Sequence, residues 1–191
     1  VVELNFEHKI QFNTKPSDEY LSLSNLLDIK NTKQAAYSIA YQLDKGNNVL
    51  NNSGLTLDGE DMKIKTTSKT NPETLEWISK TAEALYNTEQ GLPEGHYAGM
   101  STLSKDKQTV YLFVEGTPTG PIALKGIKNK ISRIRIVGEG SMIGHHIYNK
   151  LYWSPIPGIV YIDIPKERLD KKMTVIAILL DGPLDLYREK V

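Results

Sequence analysis

Short apolar runs separated by turn residues occupy the second half of the chain. Turn-forming sequences such as Thr117-Pro118-Thr119-Gly120 and Asp181-Gly182-Pro183 lie between the runs, at intervals typical of antiparallel strands. Alternation is clearest around Ile134, where Arg133 and Arg135 are expected to face solvent or a neighbouring domain. The eight runs cover residues 96–102, 109–115, 121–125, 131–137, 143–153, 159–164, 173–180 and 184–187. This pattern predicts a mainly β fold, an antiparallel β-sandwich of about eight strands.

The preceding part of the chain has a helical pattern. Apolar residues fall at helical spacing between Ala36 and Leu43, and Gly46 follows where a left-handed cap would end a helix. We therefore predict a helix over residues 33–44. A second helix is predicted over residues 72–86, because Asn71-Pro72-Glu73 is a typical N-terminal capping sequence.

These two patterns divide the chain into two parts. Residues 1–90 are predicted to form a small α/β segment or linker with the two helices, and residues 91–191 the C-terminal β-sandwich domain. Short strands are also expected before residue 31 and around Val49, and residues 60–70 are expected to be an exposed connection. The chain begins Val1-Val2 without Met or a signal region, so we expect its natural start to have been removed.

Charge and composition narrow the classes of partner. Lys and Arg together number 23, and so do Asp and Glu, so the chain lacks the basic excess that favours nucleic acid. No apolar run approaches the roughly 18 residues of a membrane span. The absence of Cys excludes disulfides, thiolate zinc sites and thiol nucleophiles. Neutral ligands such as sugars remain compatible with this composition.

Catalytic patterns are not evident. A glycosidase needs two carboxyl groups facing each other across one sugar, but nothing in the sequence marks two acidic residues as a pair, and Ser residues lack a Gly-x-Ser-x-Gly motif. His145 and His146 are adjacent, so on a strand they point to opposite faces and do not share a metal ion; we expect one packed inside and the other exposed. The sequence predicts no catalytic residues, no metal site and no cofactor.

Aromatic residues form the strongest candidate for a binding surface. Tyr148, Tyr152 and Trp153 lie close together, beside His145 and His146. A sugar ring can stack on such side chains through its apolar C–H face, as aromatic rings do at other recognition surfaces. These five residues are the candidate carbohydrate contacts. The alternative is that alternate members of the group pack in the core.

Several short sequence segments from residue 91 onward resemble segments of a known protein family. Residues 91–99 (Gly-Leu-Pro-Glu-Gly-His-Tyr-Ala-Gly) and 110–114 (Val-Tyr-Leu-Phe-Val) look like the start of the C-terminal β-sandwich of family twenty-nine glycoside hydrolases, the α-L-fucosidases. The resemblance continues through residues 101–106, 122–130, 157–163 and 175–183. The resemblance covers about the last hundred residues without a gap. No single segment is diagnostic of the family, but the order of the segments along the chain is.

Upstream, the resemblance continues with two departures. Residues 45–51 (Lys-Gly-Asn-Asn-Val-Leu-Asn) followed by Asp58-Gly59 are similar to the family's last barrel strand, and the helix ending Glu83-Ala84-Leu85-Tyr86 resembles the helix that follows it. However, residues 52–55 (Asn-Ser-Gly-Leu) replace the family's apolar-Gly-Pro, and no Gly precedes Glu83. These departures imply that the end of this strand no longer lies beside a sugar-binding site, as it would in the family.

The resemblance implies a chain without the catalytic unit. In the family, the Asp nucleophile and Glu acid/base lie in a barrel of several hundred residues upstream of everything matched here, and residues 1–44 are too few to supply it. We therefore expect a C-terminal accessory domain of an α-L-fucosidase-like protein that packs on or completes a catalytic barrel and does not hydrolyse fucosides alone. The family's role implies a bacterial periplasmic or secreted location and fucosylated glycans as ligands.

Two alternatives remain open. The first is a free-standing carbohydrate-binding sandwich, which requires Tyr148, Tyr152 and Trp153 to be exposed and coplanar. The second is a structural or interaction module, in which apolar surface left bare by a missing barrel drives association. The sandwich fold does not choose between them, and the sequence leaves the oligomeric state open.

Overall fold

The computed structural model describes residues 32–46 and 71–187. The described helices are α1 (Thr32–Asp44), α2 (Pro72–Lys80) and α3 (Ala82–Leu85), with one 3₁₀ turn at Lys166–Arg168. The strands are β1 (Thr88–Gln90), β2 (Met100–Ser104), β3 (Thr109–Val114), β4 (Ile122–Leu124), β5 (Ile131–Ile136), β6 (His145–Tyr148), β7 (Ile159–Ile162) and β8 (Thr174–Leu180). The strands predicted before residue 31 and around Val49, and the connection at 60–70, lie outside the described residues.

Two antiparallel sheets form the body of the protein. The large sheet has the strand order β1-β2-β3-β8-β5, and the small sheet has the order β4-β7-β6. Aliphatic side chains from both sheets fill the core between them: Leu103, Val110, Leu112, Val114, Ile122, Leu124, Ile134, Ile136, Val160, Ile162, Ile176, Ile178 and Leu180. The predicted fold class, a mainly β antiparallel sandwich, is confirmed.

Strand positions agree with the apolar runs in most cases, and the exceptions have local causes. β2 begins only at Met100, because residues before it turn at Gly95, which has φ 89°. β6 ends at Tyr148, where Asn149 adopts φ 59° and the chain leaves the sheet. The run at 184–187 makes only an isolated bridge between Leu186 and Ile127. β1 was not predicted, since its sequence is polar and only its backbone pairs with β2.

Capping residues mark the end of the first helix and the start of the second as predicted, but the second helix is broken. Gly46 has φ 77° and its amide donates to Leu43 O at 3.0 Å, as expected of a left-handed cap. Asn71 Oδ1 accepts the Glu73 amide at 3.0 Å. The predicted helix over 72–86 stops at Thr81, whose Oγ1 donates to Trp77 O at 2.7 Å. A hydroxyl bonded to the preceding turn bends a helix, so α2 and α3 are separate.

The helices cover the outer face of the large sheet. Trp77 is 1% exposed and Phe113 is also 1% exposed, and both belong to a second hydrophobic core between helices and sheet. On β3, Val110 and Leu112 face the small sheet, whereas Tyr111 and Phe113 face the helices. The protein therefore has three layers: helices, large sheet and small sheet. The division at residue 91 stays a prediction, but the helices before it share a core with strands after it.

Candidate functional site

The outer face of the small sheet carries three neighbouring aromatic rings. β6 and β7 pair with His146 opposite Tyr161 and Tyr148 opposite Ile159, so these side chains share one face. The intervening Val160 and Ile162 are buried in the sandwich core. His146, Tyr148 and Tyr161 therefore point away from the core, and we call them the outer aromatic cluster.

The rings of the outer aromatic cluster are in direct contact. The centroids of His146 and Tyr148 lie 4.8 Å apart with planes at 89°, and those of Tyr148 and Tyr161 lie 5.4 Å apart at 71°. His146 and Tyr161 are nearly parallel, with planes 27° apart and centroids at 6.1 Å. Edge-to-face contacts at these distances stabilise the rings relative to each other. The cluster is thus a continuous aromatic surface with Tyr148 standing upright against the other two rings.

A second aromatic pair lies in the connection between β6 and β7, residues 149–158. Tyr152 and Trp153 are in edge-to-face contact at 4.6 Å and are 94% and 67% exposed. The loop returns closely against β6 at Gly158, where an added Cβ would lie 2.5 Å from Tyr148 O. Only glycine fits this approach, so the base of the loop is held against the strand that carries the outer aromatic cluster.

The exposures and ring planes of these residues correct three sequence-based expectations. His145 and His146 are both exposed, so the expectation of one buried and one exposed ring is wrong. Tyr148, Tyr152 and Trp153 are all exposed as well, which contradicts the alternative that alternate members are core. The reason is that β6 lies at the edge of the small sheet, where β7 is its partner among the described strands. Side chains of β4 and β7, such as Leu124 and Ile162, are buried in the core beneath this sheet. The expectation of coplanar rings is wrong for Tyr152 and Trp153, because their planes lie 86° apart in an edge-to-face contact. The role of these five residues as carbohydrate contacts stays a prediction.

Tyr161 belongs to the site but was not singled out from the sequence. The available signal was the alternation of β7, in which Tyr161 stands between the buried Val160 and Ile162 and therefore had to face outward. Its pairing with His146 could not be inferred, because it joins two strands across a ten-residue loop.

One carboxylate lies beside the outer aromatic cluster. Asp163 follows β7, its side chain is 65% exposed, and its Oδ2 lies 3.9 Å from His146 Nδ1. Asp163 also lines a cavity of about 170 Å³ together with Pro118, Thr119, Gly120, Ile122, Ile164, Lys166 and Leu169. The aromatic surface and this cavity are therefore neighbours that share one acidic residue.

Several acidic residues in the described part of the chain serve as structural partners. Asp170 accepts Lys80 Nζ at 2.9 Å, and Glu83 accepts both Arg135 guanidinium NH groups at 2.6 Å. Burial acts to raise the pKa of Asp170, but the Lys172 amide and the Lys80 ammonium together lower it. The pKa of Glu139 is also lowered, by bonds from Arg168 and Ser141. Both shifts are opposite to the raised pKa that a glycosidase acid needs.

Metal and membrane features can be stated for the described residues only. Within residues 32–46 and 71–187, no three His, Asp or Glu side chains are grouped so that they could hold a metal ion. In the same part of the chain, no helix has the length and apolar character needed to cross a membrane.

Comparison with known proteins identifies similar structures. No family model and no curated protein sequence matches the chain. Among solved structures, α-L-fucosidase isoenzyme 1 from Paenibacillus thiaminolyticus is similar with a TM-score of 0.57 at 20% identity, over 80% of this chain and 35% of that one. An α-L-fucosidase from Bacteroides thetaiotaomicron matches with a TM-score of 0.56 at 19% identity, over 85% and 34%. That from Vibrio sp. strain EJY3 matches with 0.56 at 21%, over 83% and 27%.

These matches concern the fold. At such identity they show that the described architecture occurs in α-L-fucosidase structures, so the resemblance seen in the sequence is confirmed at the level of the fold. The chain spans only about a third of the length of the fucosidases that it matches.

Proposed function

We propose that this chain is the C-terminal accessory domain of an α-L-fucosidase-like glycoside hydrolase, which packs on or completes a catalytic barrel and has no active site of its own. The observation that carries the proposal is the unequal coverage: 80% of this chain matches only 35% of a fucosidase chain. A domain of that size leaves about two thirds of such an enzyme to a separate catalytic part. The proposal includes export to the bacterial periplasm or beyond, where glycans are degraded.

Three of the described acidic residues are held in ion pairs instead of facing each other as the two carboxyl groups of a glycosidase. Retaining hydrolysis of a fucoside needs a carboxylate nucleophile and a carboxylic acid about 5 Å apart, with the pKa of the acid raised. Here Glu83, Glu139 and Asp170 are bonded to Arg135, Arg168 and Lys80. The pKa values of the Glu139 and Asp170 carboxyls are lowered in this way, because a nearby cation favours the charged form.

The test compares the native protein with the isolated chain. An antibody against the 21.4 kDa chain would isolate the native protein from source cells, and both samples would be assayed with an aryl α-L-fucoside. We expect a native polypeptide of more than twice this mass that releases the aryl group, and no release by the pure 191-residue chain. A native protein of about 21 kDa, or turnover by the isolated chain, would overturn the proposal.

A second candidate function is that of a free-standing carbohydrate-binding module. The exposure of Tyr148 (54%), Tyr152 (94%) and Trp153 (67%) favours it, because large aromatic side chains on a surface are typical of recognition sites. A glycan array with the pure chain tests this candidate, with an array probed by a denatured sample as control. Saturable binding without turnover would support it. The absence of binding would leave the third alternative, in which exposed residues such as Ile147 and Leu151 contact another protein.

A further inference from the structure

We infer that the outer aromatic cluster and Asp163 together form a subsite for one pyranose ring of a neutral oligosaccharide. This inference deepens the second candidate function and rests on it. It adds Tyr161 and Asp163, which were not singled out from the sequence. It also places the subsite on the strands β6 and β7, apart from the Tyr152–Trp153 pair in the loop between them.

The aromatic part of the subsite suits the apolar face of a sugar. Tyr148 is half exposed, and it stands at 89° to His146 and 71° to Tyr161. A ring that packs on the exposed face of Tyr148 therefore also meets a second aromatic surface at its side. Aromatic rings that already contact each other lose little side-chain entropy on binding, because the rings are held before the ligand arrives.

The polar part of the subsite suits sugar hydroxyl groups. The Asp163 carboxylate is 65% exposed and lies 3.9 Å from His146 Nδ1, so its oxygens keep free lone pairs at the edge of the aromatic surface. A carboxylate accepts hydrogen bonds only, and it can accept from two neighbouring hydroxyl groups. The imidazole of His146 offers a further polar atom on the same side. Orientation by one or two polar groups against an apolar surface is the usual composition of a small-molecule site.

The adjoining cavity sets the size of the ligand. The cavity of about 170 Å³ lies beside Asp163, and its lining combines apolar residues such as Ile122 and Ile164 with the polar Thr119 and Lys166. This volume is smaller than the roughly 300–1,000 Å³ of sites for drug-sized ligands. The subsite is therefore suited to a single ring or its exocyclic group, while the remainder of an oligosaccharide extends over the surface.

The charge of the subsite favours a neutral ligand over an acidic one. Asp163 would repel the carboxylate of a uronic acid at this distance, although Lys166 lines the cavity on its other side. A quaternary ammonium group is the competing ligand, since cations also bind to aromatic faces and carboxylates. The direct contacts between the three rings, with centroids 4.8–6.1 Å apart, favour a continuous surface over an open cage around a cation.

The experiment is a calorimetric and NMR titration of the full 191-residue chain. The probes are 2′-fucosyllactose, lactose, galacturonic acid and choline, each at up to about 10 mM, where even a millimolar site is mostly occupied. The variants are Tyr148→Ala, on the edge strand, and Asp163→Asn, which keeps the shape of the side chain. Tyr37→Ala is the matched control, because it removes an exposed Tyr ring on α1, outside the proposed binding surface. Tyr152→Ala tests separately whether the loop pair contributes.

We expect a neutral saccharide to bind, and each of Tyr148→Ala and Asp163→Asn to weaken this binding about tenfold, while Tyr37→Ala changes the affinity less than twofold. Amide NMR spectra of each variant show whether the fold is retained, and Asp163→Asn keeps the test valid if Tyr148→Ala does not fold.

Weakening by Tyr152→Ala alone would overturn the subsite but leave the sugar-binding candidate. Preferential binding of choline or galacturonic acid would overturn the subsite too. No binding of any saccharide would overturn both, whereas the accessory-domain proposal is decided separately by native mass and hydrolysis.

Discussion

The outer faces of the two sheets have similar sequences but different surroundings. On the large sheet, Tyr111 and Phe113 alternate with aliphatic core residues, and the helices bury them to 7% and 1% exposure. On the small sheet, Tyr161 alternates in the same way with the buried Val160 and Ile162, yet it is only half-buried, and Tyr148 beside it is 54% exposed. The difference teaches that aromatic side chains on an alternating strand become core or binding surface according to what packs over them.

Specific contacts hold the helices on the large sheet. Trp77 Nε1 donates to Met173 O at 2.9 Å, and Lys172 Nζ donates to Glu76 at 3.0 Å. Arg135 on β5 reaches Glu83 on α3, and so one of the arginines expected to face solvent or a neighbouring domain instead contacts the helical layer. The covered face thus combines a buried anchor with ion pairs at its rim. Removing these contacts one at a time tests how strongly the two faces differ.

The largest effect is expected for Trp77→Ala. This side chain is 1% exposed and fills the core between α2 and the large sheet, so its removal should lower the free energy of unfolding by about 3–5 kcal/mol. Chemical denaturation measures it. Trp153→Ala is the matched control, because this Trp is 67% exposed and its loss should change stability by less than about 0.5 kcal/mol. Equal losses would show that Trp77 does not anchor the helices on the large sheet.

A smaller effect is expected for the ion pair at the rim of the covered face. Glu83→Gln replaces a bidentate partner of Arg135 and should lower the free energy of unfolding by about 1 kcal/mol or less, since both side chains are partly exposed to solvent. The effect should shrink in high salt because ions screen the pair. Glu89→Gln, in the looser 3.5 Å pair with Lys107, is the control and should be neutral. A loss independent of salt would contradict the electrostatic origin.

The smallest effect concerns the pH dependence contributed by Asp170. The pKa of this carboxyl is lowered in the folded protein, so the folded state binds its proton less readily than the unfolded state does. Its stabilisation is therefore present above the ordinary value of 3.8 and is lost as the pH falls through the folded pKa. Unfolding of the wild type and Asp170→Asn should differ most near neutral pH and converge in acid. Parallel curves throughout would contradict this assignment.

Local signals in the sequence were sufficient for most of the elements, but not for all of them. Asn71-Pro72 and Gly46 marked helix ends because capping depends on a few adjacent residues. The runs that became β3, β4, β5, β7 and β8 were visible from their alternation or apolar content. The break at Thr81 was missed because it depends on one hydroxyl bonded to Trp77 O. The polar strand β1 was missed because only backbone pairing defines it.

Only part of the candidate site could be predicted from the sequence, because the rest depends on which strands pair. His146 and Tyr148 are near each other in the sequence, so their aromatic character and shared face could be inferred. Tyr161 and Asp163 reach them only through the pairing of β6 with β7. The sequence by itself determined the helix ends marked by Gly46 and Asn71, and which positions of the apolar strands share a face, because period and capping are local properties. Only the tertiary structure decided which aromatic face is buried by helices and which is left open, because that depends on contacts such as Trp77 with Met173, 96 positions apart.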